Sequence, residues 1–193
     1  MNPGPFVLLT AKDSQNFDVQ RTPQTIDDLR KEIEIGLANS SEWRRSLAIE
    51  DPSERAQALA RYLLKSTSPQ GDKGTYREAV RKPMAALGKD AVPALIQVIR
   101  TAPTGEKFDT AVLVLYDIGP PSAPAIPILI ELLSQPDRVF TGYLLSALGS
   151  SGDPRALPSL EKYLESENER LAGDAKEALA KFRKRQSQVP NKK

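Results

Sequence analysis

The side chains best suited to acid–base chemistry are carboxylates spaced two positions apart. Glu32 and Glu34 form one such pair, and Glu165, Glu167 and Glu169 form a run of three. Paired carboxylates can act as general acid and base when they face each other across a substrate. On a helix, however, side chains two positions apart do not share a face. The spacing therefore favours solvated surface charge over catalysis.

The chain has no His and no Cys among its 193 residues. Thiol catalysis, His-based catalysis, disulfides and Cys- or His-ligated metals are therefore excluded. A Ser–Lys arrangement stays open, although nothing in the sequence favours it. The glycines at 71 and 74 lack the strand, the helix start and the Lys-Ser/Thr pair of a phosphate-binding loop. We predict no cofactor and no metal site, and a non-catalytic role is favoured.

Two groups of basic and aromatic residues could bind a ligand. Trp43, which precedes Arg44 and Arg45, could stack on a ligand, but a sole Trp is more often a packing residue. The basic end of the chain could bind phosphates or acidic membranes, but its cations also suit a solvated helix end. This basic end comprises Lys181, Arg183, Lys184, Arg185, Lys192 and Lys193.

The chain divides into five zones by composition and period. Residues 1–24 carry three Pro and no sustained period, which predicts an extended arm. Residues 25–66 contain apolar residues three or four apart, which predicts N-terminal helices that could form a degenerate repeat. A loop at 67–75 leads to a repetitive region at 76–182, and a basic tail follows at 183–193.

The repetitive region shows a period of about thirty residues. Similar tetrapeptides place Leu87, Ile118, Leu148 and Leu179 at spacings of 31, 30 and 31. In the first three copies a Gly follows this apolar residue, and a short loop then leads to an Ala-x-Pro-x-Leu segment. Gly can end a helix in the left-handed conformation, and Pro fits the first turn of the next helix. Each unit is therefore predicted to be two antiparallel helices, and the charged segment at 167–182 is predicted to be a capping helix.

These residues resemble the HEAT-repeat family, in particular the short bacterial HEAT-like repeats of the phycobilin-lyase type. The third copy carries the resemblance best, with Leu148-Gly149, Asp153-Pro154-Arg155 and a further segment from Ala156 to Leu160. The resemblance implies an all-α fold, a short right-handed α-solenoid of stacked antiparallel helix pairs. Many such repeats carry an Arg where this chain has Thr141 and Ala172, so a ladder of Asp–Arg pairs between repeats is not expected here.

The family also implies a concave face lined by the second helices. Exposed positions on these helices align as Gln97, Glu131 and Lys162, with Arg100 one turn beyond Gln97. Their mixed charge argues against a nucleic-acid partner, because such a groove should present Lys and Arg repeatedly.

Ile128 and Ile130 border the predicted core stripe of the same helix. Packing against neighbouring repeats is the simpler interpretation of these two residues, and a partner-binding patch is the other. Because no run of apolar residues is long enough to cross a membrane and no signal peptide is visible, we expect a cytoplasmic location.

We favour a protein–protein interaction module or scaffold that uses the concave face for a protein or peptide partner. The alternative is an enzyme-assisting factor or lyase-like chaperone that acts on a small molecule such as a bilin. A third hypothesis is a purely structural or oligomerising part of a larger assembly. The net charge of +2 favours none of them.

Overall fold

The structure is a computed structural model that describes residues 41–65, 73–135 and 140–188. The predicted arm at 1–24 and the first predicted helix, from residue 25, lie outside the described residues. Within the described ranges the fold is all-α, as predicted, with nine α-helices. They are α1 Ser41–Leu47, α2 Pro52–Lys65, α3 Lys73–Ala86, α4 Val92–Thr101, α5 Glu106–Ile118, α6 Ile126–Leu133, α7 Thr141–Ser151, α8 Leu157–Leu164 and α9 Glu169–Gln188.

The helices from α3 onward form two layers of stacked pairs. The first helices α3, α5, α7 and α9 pack side by side, and the second helices α4, α6 and α8 lie against them. Helix α5 contacts α3, α4 and α7, which explains why its sequence is apolar on nearly every side. Helix α2 packs on α4 and on the 3-10 segment that precedes α4. It thus lies where the second helix of an earlier unit would lie.

Two boundaries differ in detail from those expected from composition. Helix α3 begins at Lys73, inside the segment predicted as a loop at 67–75. Helix α9 has 20 residues and continues to Gln188. Residues 183–188 of the predicted basic tail are therefore its last helical residues. None of the helices in the described ranges combines the length and the hydropathy that crossing a membrane requires.

The turn between the two helices of a unit follows the predicted Gly and Pro pattern in two of three copies. Gly88 and Gly119 have positive φ angles of 56° and 69°, as expected of residues that end a helix. A 3-10 segment then leads into each second helix, α4, α6 or α8. The second residue of each of these helices is Pro. These segments are Gly88–Ala91, Pro120–Ala125 and Pro154–Ala156.

The prediction that Gly149 ends its helix is wrong. Helix α7 continues to Ser151, and Gly152 adopts the left-handed conformation with φ of 63°. A Cβ atom on Gly149 would lie 2.3 Å from the carbonyl oxygen of Ala178 in α9. Gly149 therefore allows α7 and α9 to approach closely, and Gly152 ends the helix.

Polar contacts join consecutive units. The Asp153 carboxylate accepts hydrogen bonds from the backbone N–H and the guanidinium of Arg155, which hold its pKa below the usual value. The Arg155 guanidinium also donates to the carbonyl of Ala123 at 2.9 Å, in the preceding 3-10 segment. In the first helices, Arg81 of α3 forms a two-pronged ion pair with Asp117 of α5. Arg–Asp pairs between units thus occur, at positions other than those of the family ladder.

Candidate functional site

The second-helix layer contains an open cleft of about 330 Å³ between α4 and α6. The buried side chains of Ile99 and Leu132 line it, together with the half-buried Ile128. Arg100 and Glu131, both exposed, stand at its rim from opposite helices. The cleft therefore combines apolar side chains with one cation, one anion and the polar Gln135.

The cleft lies towards the C-terminal ends of α4 and α6. One wall comes from residues 99–103, at the end of α4, and the other from residues 128–135, along α6 and just beyond it. At the other end of α6, helix α4 packs on the segment Pro120–Ala125 that precedes α6 in the chain.

The structure brings together three of the six candidate binding residues. Arg100, Ile128 and Glu131 line the α4–α6 cleft. Gln97 and Lys162 are exposed on the same layer but do not line this cleft, and Ile130 is half-buried against the core. Packing of Ile128 and Ile130 against the core agrees with the simpler interpretation of these residues. Their binding role stays a prediction.

The charged groups at the rim of the cleft are available to a partner. In the part of the chain that the structure describes, neither Arg100 nor Glu131 has an ion-pair partner within 4.0 Å. An exposed charge without a partner keeps its water shell, and it can exchange that water for a complementary group on another protein. An anionic group of a ligand would pair with Arg100 and a cationic group with Glu131, so the two rim charges favour one orientation of a ligand that carries both.

A second group of residues, which the sequence analysis missed, lies in the first-helix layer. Asp109 is 6% exposed and lines a cavity of about 360 Å³ beside Tyr143 and Ser146 of α7. Its Oδ2 atom lies 3.7 Å from Nη2 of Arg77, and its Oδ1 atom is buried without a hydrogen-bond partner.

Burial raises the pKa of the Asp109 carboxyl to about 6, although the Arg77 guanidinium opposes this shift. The charge of Glu106 adds to the increase. A carboxyl with a perturbed pKa in a cavity can mark a functional group, but structural ion pairs also perturb pKa values. Because Arg77 partly compensates its charge, we interpret Asp109 as the titratable member of a structural pair.

The sole Trp is a packing residue, as the simpler interpretation had it. Trp43 is 4% exposed, and its ring centroid lies 5.0 Å from that of Tyr62 in α2. It joins α1 to α2 as part of the core and is not available for stacking on a ligand.

Two layers of stacked antiparallel helix pairs define a helical-repeat scaffold, a class of protein often used in protein interactions. Residues 92–180, from α4 into α9, match the family model for HEAT repeats, so this part of the chain is similar to that family. The predicted resemblance to that family is confirmed. No curated protein and no solved structure matches the chain significantly.

Proposed function

We propose that the protein is a non-catalytic interaction module that binds a protein partner through the α4–α6 cleft. The observation that carries the proposal is the cleft itself, which combines apolar side chains with two exposed charges of opposite sign that have no ion-pair partner among the described residues. Buried apolar contact supplies affinity at such a surface, and flanking charges select the partner and its orientation.

The cleft chemistry indicates what a partner should present. An apolar side chain placed over Ile128 would cover the exposed part of that residue and of the cleft lining. An acidic group beside Arg100 and a basic group beside Glu131 would complete the contact. We therefore propose a peptide segment with an apolar anchor between two charges of opposite sign.

The proposal is tested by exchanging the two rim charges. The double variant Arg100→Glu, Glu131→Arg keeps the net charge and the cleft lining but reverses the order of charges. We expect partner proteins that co-purify with the wild-type chain to lose at least about tenfold in affinity, since juxtaposed like charges cost several kcal/mol. The measurement is the dissociation constant of each isolated partner by calorimetry.

The matched control is the double variant Gln97→Ala, Lys162→Ala, which changes exposed residues of the same layer outside the cleft. It should retain the partner, and circular dichroism should be unchanged in both variants. Equal binding by all three proteins would rule out the cleft as the partner site. A visible-spectrum change on adding free bilin, with no protein partner retained, would instead favour the small-molecule role.

A further inference from the structure

A basic pocket lies at the carboxyl ends of the first helices, in the other layer from the cleft. Its volume is about 390 Å³. Helix α9 contributes three cations to it, and α5 and α7 contribute polar groups. The pocket is lined by Tyr116, Asp117, Ser150, Lys181, Lys184 and Arg185.

The pocket has an excess of positive charge that its own carboxylate does not neutralise. Asp117 accepts two hydrogen bonds from the guanidinium of Arg81, one of them at 2.9 Å, so its charge is already paired. Within the described ranges, the three cations from α9 have no carboxylate within 4.0 Å. A site of this kind attracts a multiply charged anion.

A hydroxyl donor faces the same space. The Lys181 ammonium donates to the Tyr116 hydroxyl oxygen at 2.7 Å, and it lies 4.5 Å from the centre of that ring. Since this contact uses the oxygen as an acceptor, the hydroxyl proton of Tyr116 has no acceptor among the described residues. Ser150 donates to the carbonyl of Tyr116 at 2.6 Å and so fixes the backbone that carries the ring.

The Arg185 side chain packs beside two glycines. A Cβ atom on Gly152 would lie 2.7 Å from Cβ of Arg185, and one on Gly119 would lie 3.4 Å from its Nη2 atom. The neighbouring Gln186 donates to the carbonyl of Gly152 and anchors this turn of α9. The guanidinium therefore lies next to the turns that end α5 and α7, where it lines the pocket.

We propose that this pocket binds a phosphate monoester, either free or carried by a side chain of a peptide. Such a group has close to two negative charges and three acceptor oxygens at neutral pH. Two ammonium groups, one guanidinium and the Tyr116 hydroxyl match that charge and that number of acceptors. A phosphodiester, as in nucleic acids, offers one charge and two free oxygens and matches them less well.

Cations near helix carboxyl ends also stabilise the helix dipole without any ligand. That role predicts a loss of stability when a cation is removed, but it predicts no anion binding. The test must therefore measure binding itself and not only the melting temperature.

The test is a titration of the full chain with inorganic phosphate and with a phosphoserine peptide, followed by backbone amide NMR at constant ionic strength in chloride. We expect saturable shifts at Tyr116, Ser150 and residues 181–186. Lys184→Gln should weaken binding at least about tenfold, since it removes a charge-assisted hydrogen bond to the phosphate. Lys184 is exposed, so this variant should fold even if Arg185→Gln does not.

Lys176→Gln is the matched control, because Lys176 is an exposed Lys of the same helix that does not line the pocket. It should bind phosphate as the wild type does. Tighter binding of the phosphopeptide than of free phosphate would assign the ligand to a peptide, and equal binding would assign it to a free monoester. The proposal is overturned by shifts that do not saturate or by equal losses in both Lys variants.

Discussion

Asp109 shows how burial changes the chemistry of a single residue in this protein. Its folded pKa of about 6 lies above the ordinary value of 3.8, so the folded state binds more protons between these two values. The contribution of Asp109 to stability is therefore fully present below pH 3.8, and it is lost as the pH rises through 6.

We expect the substitution Asp109→Asn to flatten the pH dependence of stability. Between pH 4.5 and pH 7.5, the wild type should lose about 2 kcal/mol more unfolding free energy than the variant does, given a shift of about two pKa units. The groups that face Asp109 are Arg77, Glu106 and the Arg170–Asp174 pair across the cavity, and the chain has no His that titrates in this range. Urea unfolding at the two pH values measures the difference.

Comparing slopes is necessary because exchanging the carboxyl for an amide can also change stability by an amount that does not depend on pH, through altered hydrogen bonding in the buried site. Parallel pH profiles for the two proteins would show that Asp109 ionises normally in the folded state. The sequence could not reveal this residue, since desolvation depends on the helices that cover it. The local sequence gives no distinctive signal, because Asp109 shares the first turn of α5 with the acidic Glu106.

The packing of α7 against α9 gives a prediction at the scale of elements. Gly149→Ala should lower the unfolding free energy by about 2–3 kcal/mol, because the added methyl group would meet the backbone of Ala178 at 2.3 Å. The backbone of a packed helix cannot move aside as a flexible side chain can. Urea unfolding followed by circular dichroism measures the effect.

Gly173→Ala is the control for helix propensity. A Cβ atom on Gly173 would meet no atom within 4 Å, so this change should stabilise α9 by about 0.5–1 kcal/mol. If both substitutions stabilise the protein, α7 and α9 do not pack as closely at Gly149 as the structure shows.

The elements show which predictions a sequence supports and which it does not. The period of Leu87, Ile118 and Leu148 predicted the helix pairs, because each repeat packs this residue against the core, with Leu148 fully buried and Leu87 and Ile118 partly buried. The role of Gly149 could not be predicted, because it depends on contact with the backbone of Ala178, almost thirty residues later in the chain. Helix periodicity likewise predicted Gln97 and Lys162 as binding residues along with Glu131, because it identifies the outward face of each helix. It does not show which outward positions of neighbouring helices line the same cleft.

At the scale of the whole molecule, the two layers have different surfaces. The second helices carry an open cleft with an apolar lining and balanced charge, which suits a protein partner. The carboxyl ends of the first helices carry a cationic pocket, which suits a small anion. The long helix α9 covers α7 and α8, and its exposed positions are mainly polar, as a capping helix requires; its capping role stays a prediction.

The most direct test of the central proposal is hydrogen–deuterium exchange of the full chain with and without the partner protein isolated through it. We predict slower exchange in peptides that cover 95–103 and 126–135, on both sides of the α4–α6 cleft, and unchanged exchange in α8. The charge-exchanged Arg100→Glu, Glu131→Arg variant should show no such protection at the same partner concentration. Protection confined to the first helices, with α4 and α6 unchanged, would contradict the proposed partner site.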